Sequence, residues 1–153
     1  MTTDVKRMFV DTNILVYATD DASPWQDRAL KALRKARAQE IELMINQQVL
    51  REYLAVTTRF TMSQENALLF EKIIDNVRIF RTEFTLLTET PALLTRLLSL
   101  LEEIPTTGKQ IHDANLAATM LIHGITDLLT ANADDFQRFE GKIHIVPLAE
   151  WAK

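Results

Sequence analysis

Short apolar segments alternate with longer amphipathic stretches along this chain. We predict β-strands at five apolar segments, residues 8–12, 41–45, 77–80, 126–130 and 142–146. Helices are predicted where apolar residues recur every three or four positions, over 14–19, 23–40, 47–60, from 63 onward, 90–104 and 110–123, with a helical turn at 133–139. This alternation favours a mostly parallel central sheet covered on both faces, a three-layer α/β/α sandwich.

Capping residues support several of these boundaries. Ser23 is a suitable N-cap with Pro24 at the first helical position, and Ser63 could begin the helix that follows. Pro105 ends the leucine-rich helix, and Gly124 is a natural C-terminal stop for the alanine-rich one.

The composition is that of an ordinary soluble protein. A chain of 153 residues has the usual size of one domain, so we expect a single domain over residues 1–153. Cysteine is absent, which excludes disulfides, thiolate zinc sites and cysteine nucleophiles and suits a cytoplasmic protein. No apolar stretch approaches the length of a membrane span, and the N-terminus lacks the apolar segment of a signal peptide.

The net charge of −4 excludes a protein that coats nucleic acid through overall positive charge, so any such contact must be local. Basic residues cluster on the predicted helix over 23–40, which is either a solvated face or a binding surface. They are Arg28, Lys31, Arg34, Lys35 and Arg37.

Acidic residues occur where a parallel sheet would collect a ligand. Asp11 lies at the carboxyl end of the first predicted strand, outside which ligands bind in such sheets. Glu52 shares a helix face with Val49 and Val56, so its carboxylate is predicted to point toward the apolar side, unless it reaches water at the edge of that stripe.

Asp113 repeats this pattern, because Leu116, Ala117 and Met120 define the buried stripe that it shares. Its place in the first helical turn also fits a simple interaction with the helix dipole, but that reading leaves the choice of face unexplained.

A fourth acidic segment, residues 130–136, follows the fourth predicted strand. Asn132, Asp134 and Asp135 all lie where the chain leaves the sheet, and one helix cap cannot use all three. Carboxylates gathered in one place repel one another unless a cation neutralises them. Oxygen ligands select a hard ion, so Mg²⁺ is predicted, with Mn²⁺ as the alternative.

Four motifs then resemble those of PIN-domain ribonucleases, in order and spacing. They are FVDTN at 9–13, Glu52, IHDANLAA at 111–118 and LLTANADDF at 128–136. The resemblance covers essentially the whole chain and is closest to the VapC-type toxins of toxin–antitoxin pairs. It implies a PIN-like fold and a metal-dependent endoribonuclease that cuts RNA.

The resemblance also implies roles for individual residues. Asp11 and Asp113 match the aspartates that hold the metal, and Glu52 matches a glutamate that helps to hold the ion or its water. Asn13 and Thr130 match polar residues that orient these acids.

The fourth acidic position departs from the family pattern, since some relatives have an acid where this chain has Asn132. We assign the catalytic acid to Asp135, directly before the phenylalanine, and make Asn132 a neutral ligand or orienting group. If neither residue reaches the metal, a one-metal site is favoured over a two-metal mechanism.

VapC-like proteins commonly form homodimers and are silenced by a small antitoxin that covers the acidic pocket, often with an arginine. The resemblance therefore implies an antitoxin partner and a homodimer. The apolar helix over 93–104 offers a dimer interface, although a leucine stripe fits plain core equally well.

Three other readings are kept. An aspartate-based phosphatase would need a second aspartate two residues after Asp11, where Asn13 stands. A phosphoacceptor signalling domain would need a lysine just after a later strand, and no predicted strand ends in lysine. A catalytically silent PIN fold that binds RNA or protein is the third alternative. Such a protein need not retain Asp11, Glu52 and Asp113, yet all three acids are present.

Overall fold

A five-stranded sheet forms the centre of the protein. The computed structural model describes residues 6–59 and 67–153. The strands are β1 (Arg7–Val10), β2 (Glu42–Asn46), β3 (Thr85–Leu87), β4 (Asp127–Thr130) and β5 (His144–Pro147). Their order across the sheet is β3-β2-β1-β4-β5, and each neighbouring pair is parallel. With its flanking helices, this sheet confirms the predicted α/β/α sandwich.

Helices connect the strands. They are α1 (Thr12–Thr19), α2 (Gln26–Ala38), α3 (Gln47–Thr58), α4 (Ala67–Glu83), α5 (Pro91–Glu103), α6 (Gln110–His123) and α7 (Leu148–Trp151), with a 3-10 helix over Ala133–Phe139. Gly124 ends α6 with a φ of +66°, the left-handed conformation that glycine adopts without a steric penalty, so its predicted role as a helix stop is confirmed. The helix α7 has no counterpart among the predicted elements.

The predicted strand at residues 77–80 is wrong, because these residues belong to α4. Ile73 and Phe80 are buried seven residues apart, at the spacing of two helical turns, and Phe84 is buried directly after the helix. A four-residue apolar segment is too short to distinguish a strand from a buried helix face. The third strand is instead Thr85–Leu87, which pairs with β2.

The predicted start of the helix over 23–40 is displaced. Ser23 forms a turn in which its Oγ accepts from the Trp25 N–H at 3.1 Å, and α2 begins at Gln26. Pro24 therefore lies in this turn and not at the first helical position. The predicted helix start at Ser63 lies outside the described residues.

The strand interiors are apolar, and polar side chains begin where the strands end. Phe9 and Val10 in β1 are fully buried, as expected for a parallel sheet covered on both faces. Asp11, Asn46 and Thr130 then stand at the carboxyl ends of three adjacent strands, where they are buried polar residues. The fold thus concentrates hydrogen-bonding capacity at one edge of the sheet.

Candidate active site

Asp11 is held at the carboxyl edge of the sheet by its position as the N-cap of α1. Its Oδ1 accepts from the Thr12 backbone N–H at 2.8 Å. Its Oδ2 accepts from the Thr130 hydroxyl at 2.7 Å and from the Asn13 amide at 3.1 Å. Since a carboxylate offers about four lone-pair positions, these three bonds leave about one for another ligand.

Burial dominates the electrostatics of Asp11. The side chain is 8% exposed, and loss of solvation raises its pKa to about 6. Hydrogen bonds from Thr130, Thr12 and Asn13 oppose the increase in pKa, while the nearby Glu52 carboxylate adds to it. The opening strand therefore ends in a carboxyl group that ionises close to neutral pH.

Asn13 and Thr130 brace this carboxylate from both sides. The Asn13 Oδ1 accepts from the Ala131 N–H at 3.1 Å, which ties α1 to the end of β4. The fully buried Thr130 hydroxyl donates to Asp11 and accepts from the Asn132 N–H at 3.0 Å. Both side chains therefore contact Asp11 in the way that an orienting role requires.

Glu52 reaches the same region from α3. Its Oε2 accepts from the Thr12 hydroxyl at 3.0 Å and its Oε1 from the Gln48 amide at 3.0 Å. The helix is anchored by Asn46, whose side chain accepts from the Val49 N–H at 2.9 Å. Val56 was predicted to share a buried face with Glu52, but it is 42% exposed, whereas Val49 and Tyr53 are buried.

Asp113 approaches from the first turn of α6, above the predicted buried stripe of Leu116, Ala117 and Met120. Its pKa is raised to about 7, chiefly by loss of solvation and then by the negative charges of Asp11, Asp135 and Glu52. Arg138 opposes this effect. In the described chain, its carboxylate accepts no side-chain or backbone hydrogen bond, so it is available to a ligand.

One open cavity of about 720 Å³ collects these side chains. Its walls include Asp11, Asn13, Glu52, Asp113, Asn132 and Asp135. Thr130 lies behind the wall, in contact with Asp11, and Asp134 is exposed and bonded to Gln137. The structure thus brings together every residue of the predicted site, and of the two consecutive aspartates it is Asp135 that faces the cavity.

The basic residues of the cavity are not those of α2. Arg51, Arg59 and Lys109 line it, whereas no residue of α2 does. Arg28 instead stacks on Trp25, Lys35 on Trp151 and Arg37 on Phe84. The cluster on α2 therefore does not form the cationic surface of this cavity.

Gln48 is the main site residue that sequence reasoning missed. Its Nε2 donates to Glu52 and to the His112 carbonyl at 2.8 Å, and its Oε1 accepts from the Asn115 amide at 2.7 Å. It is only 5% exposed. The signal was its position one helical turn before Glu52, on the same face.

The donor set fits a hard divalent cation in its chemistry. All ligand atoms are oxygens, and the neighbouring carboxylates add to the raised pKa of Asp11 and of Asp113, an effect that a cation would reverse. Within residues 6–59 and 67–153, however, no three carboxylate or histidine side chains are close enough together to surround an ion. A site of this kind would use one or two carboxylates and complete its shell with water and substrate oxygens, as Mg²⁺ usually does.

The fold and the cavity define an α/β protein with an acidic site at the carboxyl edge of a parallel sheet. A model of the PIN domain family matches residues 8–142. The chain belongs to the PIN domain family, a family of nucleases.

Solved structures share this fold. VapBC2 from Rickettsia felis, bound to a promoter DNA fragment, has a TM-score of 0.67 and 18% identity, over 92% of this chain and 98% of that chain. Mycobacterium tuberculosis VapC20, a sarcin-ricin loop cleaving toxin, has a TM-score of 0.62 and 17% identity, over 89% and 95%. A toxin–antitoxin complex from Klebsiella pneumoniae has a TM-score of 0.60 and 20% identity, over 92% and 97%.

No curated protein sequence matches the chain significantly. At these identities the structural likeness shows the fold alone. Among the described residues, no helix is both long enough and apolar enough to cross a membrane.

Proposed function

We propose that this protein is a divalent-metal-dependent endoribonuclease, with Mg²⁺ or Mn²⁺ as its ion. The observation that carries the proposal is the convergence of Asp11, Glu52, Asp113 and Asp135 in one cavity, where the other three carboxylates help to raise the pKa of Asp113 to about 7. Repulsion among these carboxylates destabilises the site unless a cation neutralises it. The chain belongs to a family of nucleases, and a nuclease would use such a cation in catalysis.

Each acid has a role in this proposal. Asp11 and Asp113 hold the ion, Asp11 through its remaining acceptor position and Asp113 through a carboxylate that accepts no other bond in the described chain. A bound divalent ion lowers the pKa of water and stabilises charge on a phosphoryl group. Glu52 and Asp135 orient the attacking water or a second ion, and Asn132 acts as a neutral ligand.

The remaining polar residues keep these acids in place. Asn13 and Thr130 hold the Asp11 carboxylate against the end of β4. Thr12 and Gln48 each donate to one oxygen of Glu52, which fixes the orientation of its carboxylate. The carboxylates of Asp11 and Glu52 are therefore held in place before any substrate binds.

We further propose that the enzyme is the cytoplasmic toxin of a type II toxin–antitoxin pair and that a small antitoxin protein binds it. The likeness to VapC20 and to a toxin–antitoxin complex supports this assignment. A second cavity of about 510 Å³, lined by apolar residues such as Tyr53, Leu69 and Ile73 and by several polar ones, shares Val16 and Val56 with the acidic cavity. A peptide lying in it could extend an arginine toward the carboxylates.

The test is RNA cleavage by the purified protein with Mg²⁺, with Mn²⁺ and with chelator. We expect cleavage with either metal, none with chelator, and a loss of at least about 100-fold in rate for Asp11→Asn. Asp135→Asn should also lose activity, whereas the neighbouring Asp134→Asn should not, since Asp134 is exposed and bonded to Gln137 outside the cavity.

Cleavage that persists in chelator, or that survives Asp11→Asn, would refute the metal mechanism. RNA binding without cleavage under every condition would favour the catalytically silent alternative. Inhibition by the protein product of a short neighbouring reading frame would support the toxin assignment. Cleavage with no such inhibitor would support the nuclease assignment and contradict the toxin assignment.

A further inference from the structure

Two arginines stand on the wall that α3 contributes to the acidic cavity. Arg51 and Ala55 of α3, and Arg59, the C-cap residue that follows the helix with helical backbone angles, are spaced four residues apart and all line it. This spacing places them on one helix face, with about 12 Å between the two arginines along the helix axis. The small side chain of Ala55 leaves the space between them open.

This wall runs outward from the acids. The helix begins directly after β2, at the edge of the sheet where the carboxylates gather, so Arg51 lies beside Glu52 and Arg59 lies two turns farther out. A polyanion that approaches the cavity meets four carboxylates at its floor. Positive charge along the approach would offset that repulsion.

Both guanidinium groups are available to a ligand. Arg51 pairs with Glu89 at 3.6 Å, but the two side chains are 64% and 34% exposed, and such surface pairs are weak and readily exchanged. In the part of the chain that the structure describes, Arg59 has no ion-pair partner. Arginine suits phosphate because its planar group donates two parallel hydrogen bonds.

An aromatic side chain lines the same cavity. Tyr17 of α1 is half-buried and contributes to the wall together with Val16. Cationic groups along the backbone combined with an aromatic face on which bases stack are typical of single-stranded nucleic-acid sites. A paired base in a duplex could not stack in this way.

We propose that Arg51 and Arg59 form a phosphate track that binds single-stranded RNA and leads it along α3 to the acidic cavity. This inference rests on the proposed nuclease function and assigns its substrate-positioning residues. Arg51 binds a phosphate next to the carboxylates, and Arg59 binds one farther from the cleavage point. The ion pair with Glu89 is exchanged for the RNA phosphate.

The experiment measures binding of a short single-stranded RNA by fluorescence anisotropy over a range of salt concentrations, in Mg²⁺. Asp11→Asn serves as the background so that no RNA is cut, and Asp113→Asn provides a second background. We expect Arg51→Ala and Arg59→Ala each to reduce the slope of log K against log salt by about 0.7, the contribution of one phosphate contact on a single strand.

Matched controls are available in the chain. Arg78→Ala removes an exposed arginine that pairs with Asp75 on α4 and lies outside the cavity, so the slope should not change. Arg51→Lys and Arg59→Lys should retain most of the slope, since both keep the charge. A duplex of equal length should bind more weakly and should not respond to these substitutions.

An unchanged slope in both alanine variants would overturn the track, even if the wild-type protein cleaves RNA. A reduced slope would support it, even if the wild type fails to cleave, in which case only the proposed activity fails. No RNA binding at low salt would overturn it as well. If the alanine variants lose affinity only for an acidic peptide, the arginines serve a protein partner and the proposal is wrong.

Discussion

Each polar residue of the candidate site is positioned by a small number of specific hydrogen bonds. Thr130 is an example, because one hydroxyl donates to the Asp11 carboxylate and accepts from the Asn132 N–H. The Thr130 side chain is fully buried, so loss of its hydroxyl would remove both hydrogen bonds at a position inside the core. A residue that resembles an ordinary strand-end threonine in sequence thus supports two segments of the site.

We expect Thr130→Val to reduce the free energy of unfolding by about 1–3 kcal/mol, since it leaves buried polar partners without a hydrogen bond. Thr130→Ser, which keeps the hydroxyl and loses a methyl group, should cost less. Urea unfolding at neutral pH measures both variants. A valine variant as stable as the serine variant would show that the hydroxyl does not support Asp11.

The raised pKa values of Asp11 and Asp113 predict how stability depends on pH. In the folded protein these groups ionise at about 6 and about 7, above the ordinary value of 3.8. Between these limits the folded state binds more protons than the unfolded state, so these two groups make the free energy of unfolding fall as pH rises. The contribution is fully present below about pH 4 and is lost above about pH 7.

The measurement compares wild type with Asp113→Asn by urea unfolding in chelator, between pH 4.5 and pH 8. In chelator, we expect the variant to gain stability relative to wild type as pH rises. In a separate series without chelator, Mg²⁺ or Mn²⁺ should stabilise the wild type most near pH 8. Asp134→Asn, on an exposed carboxylate, should show no such trend. A stability difference independent of pH would contradict the raised pKa of Asp113.

At the scale of secondary-structure elements, Gln48 connects the helix that carries Glu52 to the helix that carries Asp113. Its amide bonds to Glu52, to the His112 carbonyl and to Asn115, which joins α3 to the first turns of α6. The bonds to His112 and Asn115 link residues 64 and 67 positions apart in the chain. Sequence spacing could suggest only the local bond to Glu52.

We expect Gln48→Leu to lower the free energy of unfolding by at least about 2 kcal/mol, because several partners lose their hydrogen bonds in a half-buried region. Gln137→Leu is the matched control, since the exposed Gln137 side chain bonds to Asp134 alone within the described residues, and its effect should stay within about 0.5 kcal/mol. Chemical denaturation of both variants decides the matter. Equal effects would mean that Gln48 does not couple the two helices.

The helix α5 presents both buried and exposed leucines. Leu93 and Leu100 are buried in the core, whereas Leu94 and Leu98 are 61% and 53% exposed one turn apart. The two readings of this leucine-rich segment, core and interface, therefore apply to different faces of the same helix. The homodimer stays a prediction, and the exposed face is where it would form.

Leu98→Lys should convert such a dimer to a monomer, because it places a charge in an apolar contact. Sedimentation velocity of wild type and variant measures the change. Ile79→Lys, at a residue of α4 that is 48% exposed, controls for added charge. A wild-type protein that sediments as a monomer at micromolar concentration would refute the dimer.

At the scale of the whole molecule, a negatively charged protein is predicted to bind a polyanion through a local concentration of cations. The net charge is −4, yet Arg51, Arg59 and Lys109 line the cavity that holds the acids. From sequence, the five basic residues of α2 were either a solvated face or a binding surface, because they form the densest basic cluster along the chain, and none of them lines this cavity. Three residues of that cluster, Arg28, Lys35 and Arg37, lie against aromatic rings instead, and Lys35 also donates to the Trp151 carbonyl.

The amino-acid sequence by itself determined the order of apolar and polar segments, and with it the parallel sheet and the acids at its edge. Apolar periodicity encodes elements well when a segment is long, and it failed at residues 77–80 because a strand and a helix face look alike over four residues. The placement of Asp11, Glu52 and Asp113 could be predicted because each belongs to a motif at the start of a helix or on a helix face.

Only the tertiary structure decided which side chains meet. It put Asp135, the acid already assigned from sequence, on the cavity wall and left Asp134 outside it, and it brought Gln48 to the first turn of α6. It also selected the arginines of α3 over those of α2. The physical reason is that burial, hydrogen bonding and repulsion between charges depend on distances across the fold, which local spacing along a chain does not contain.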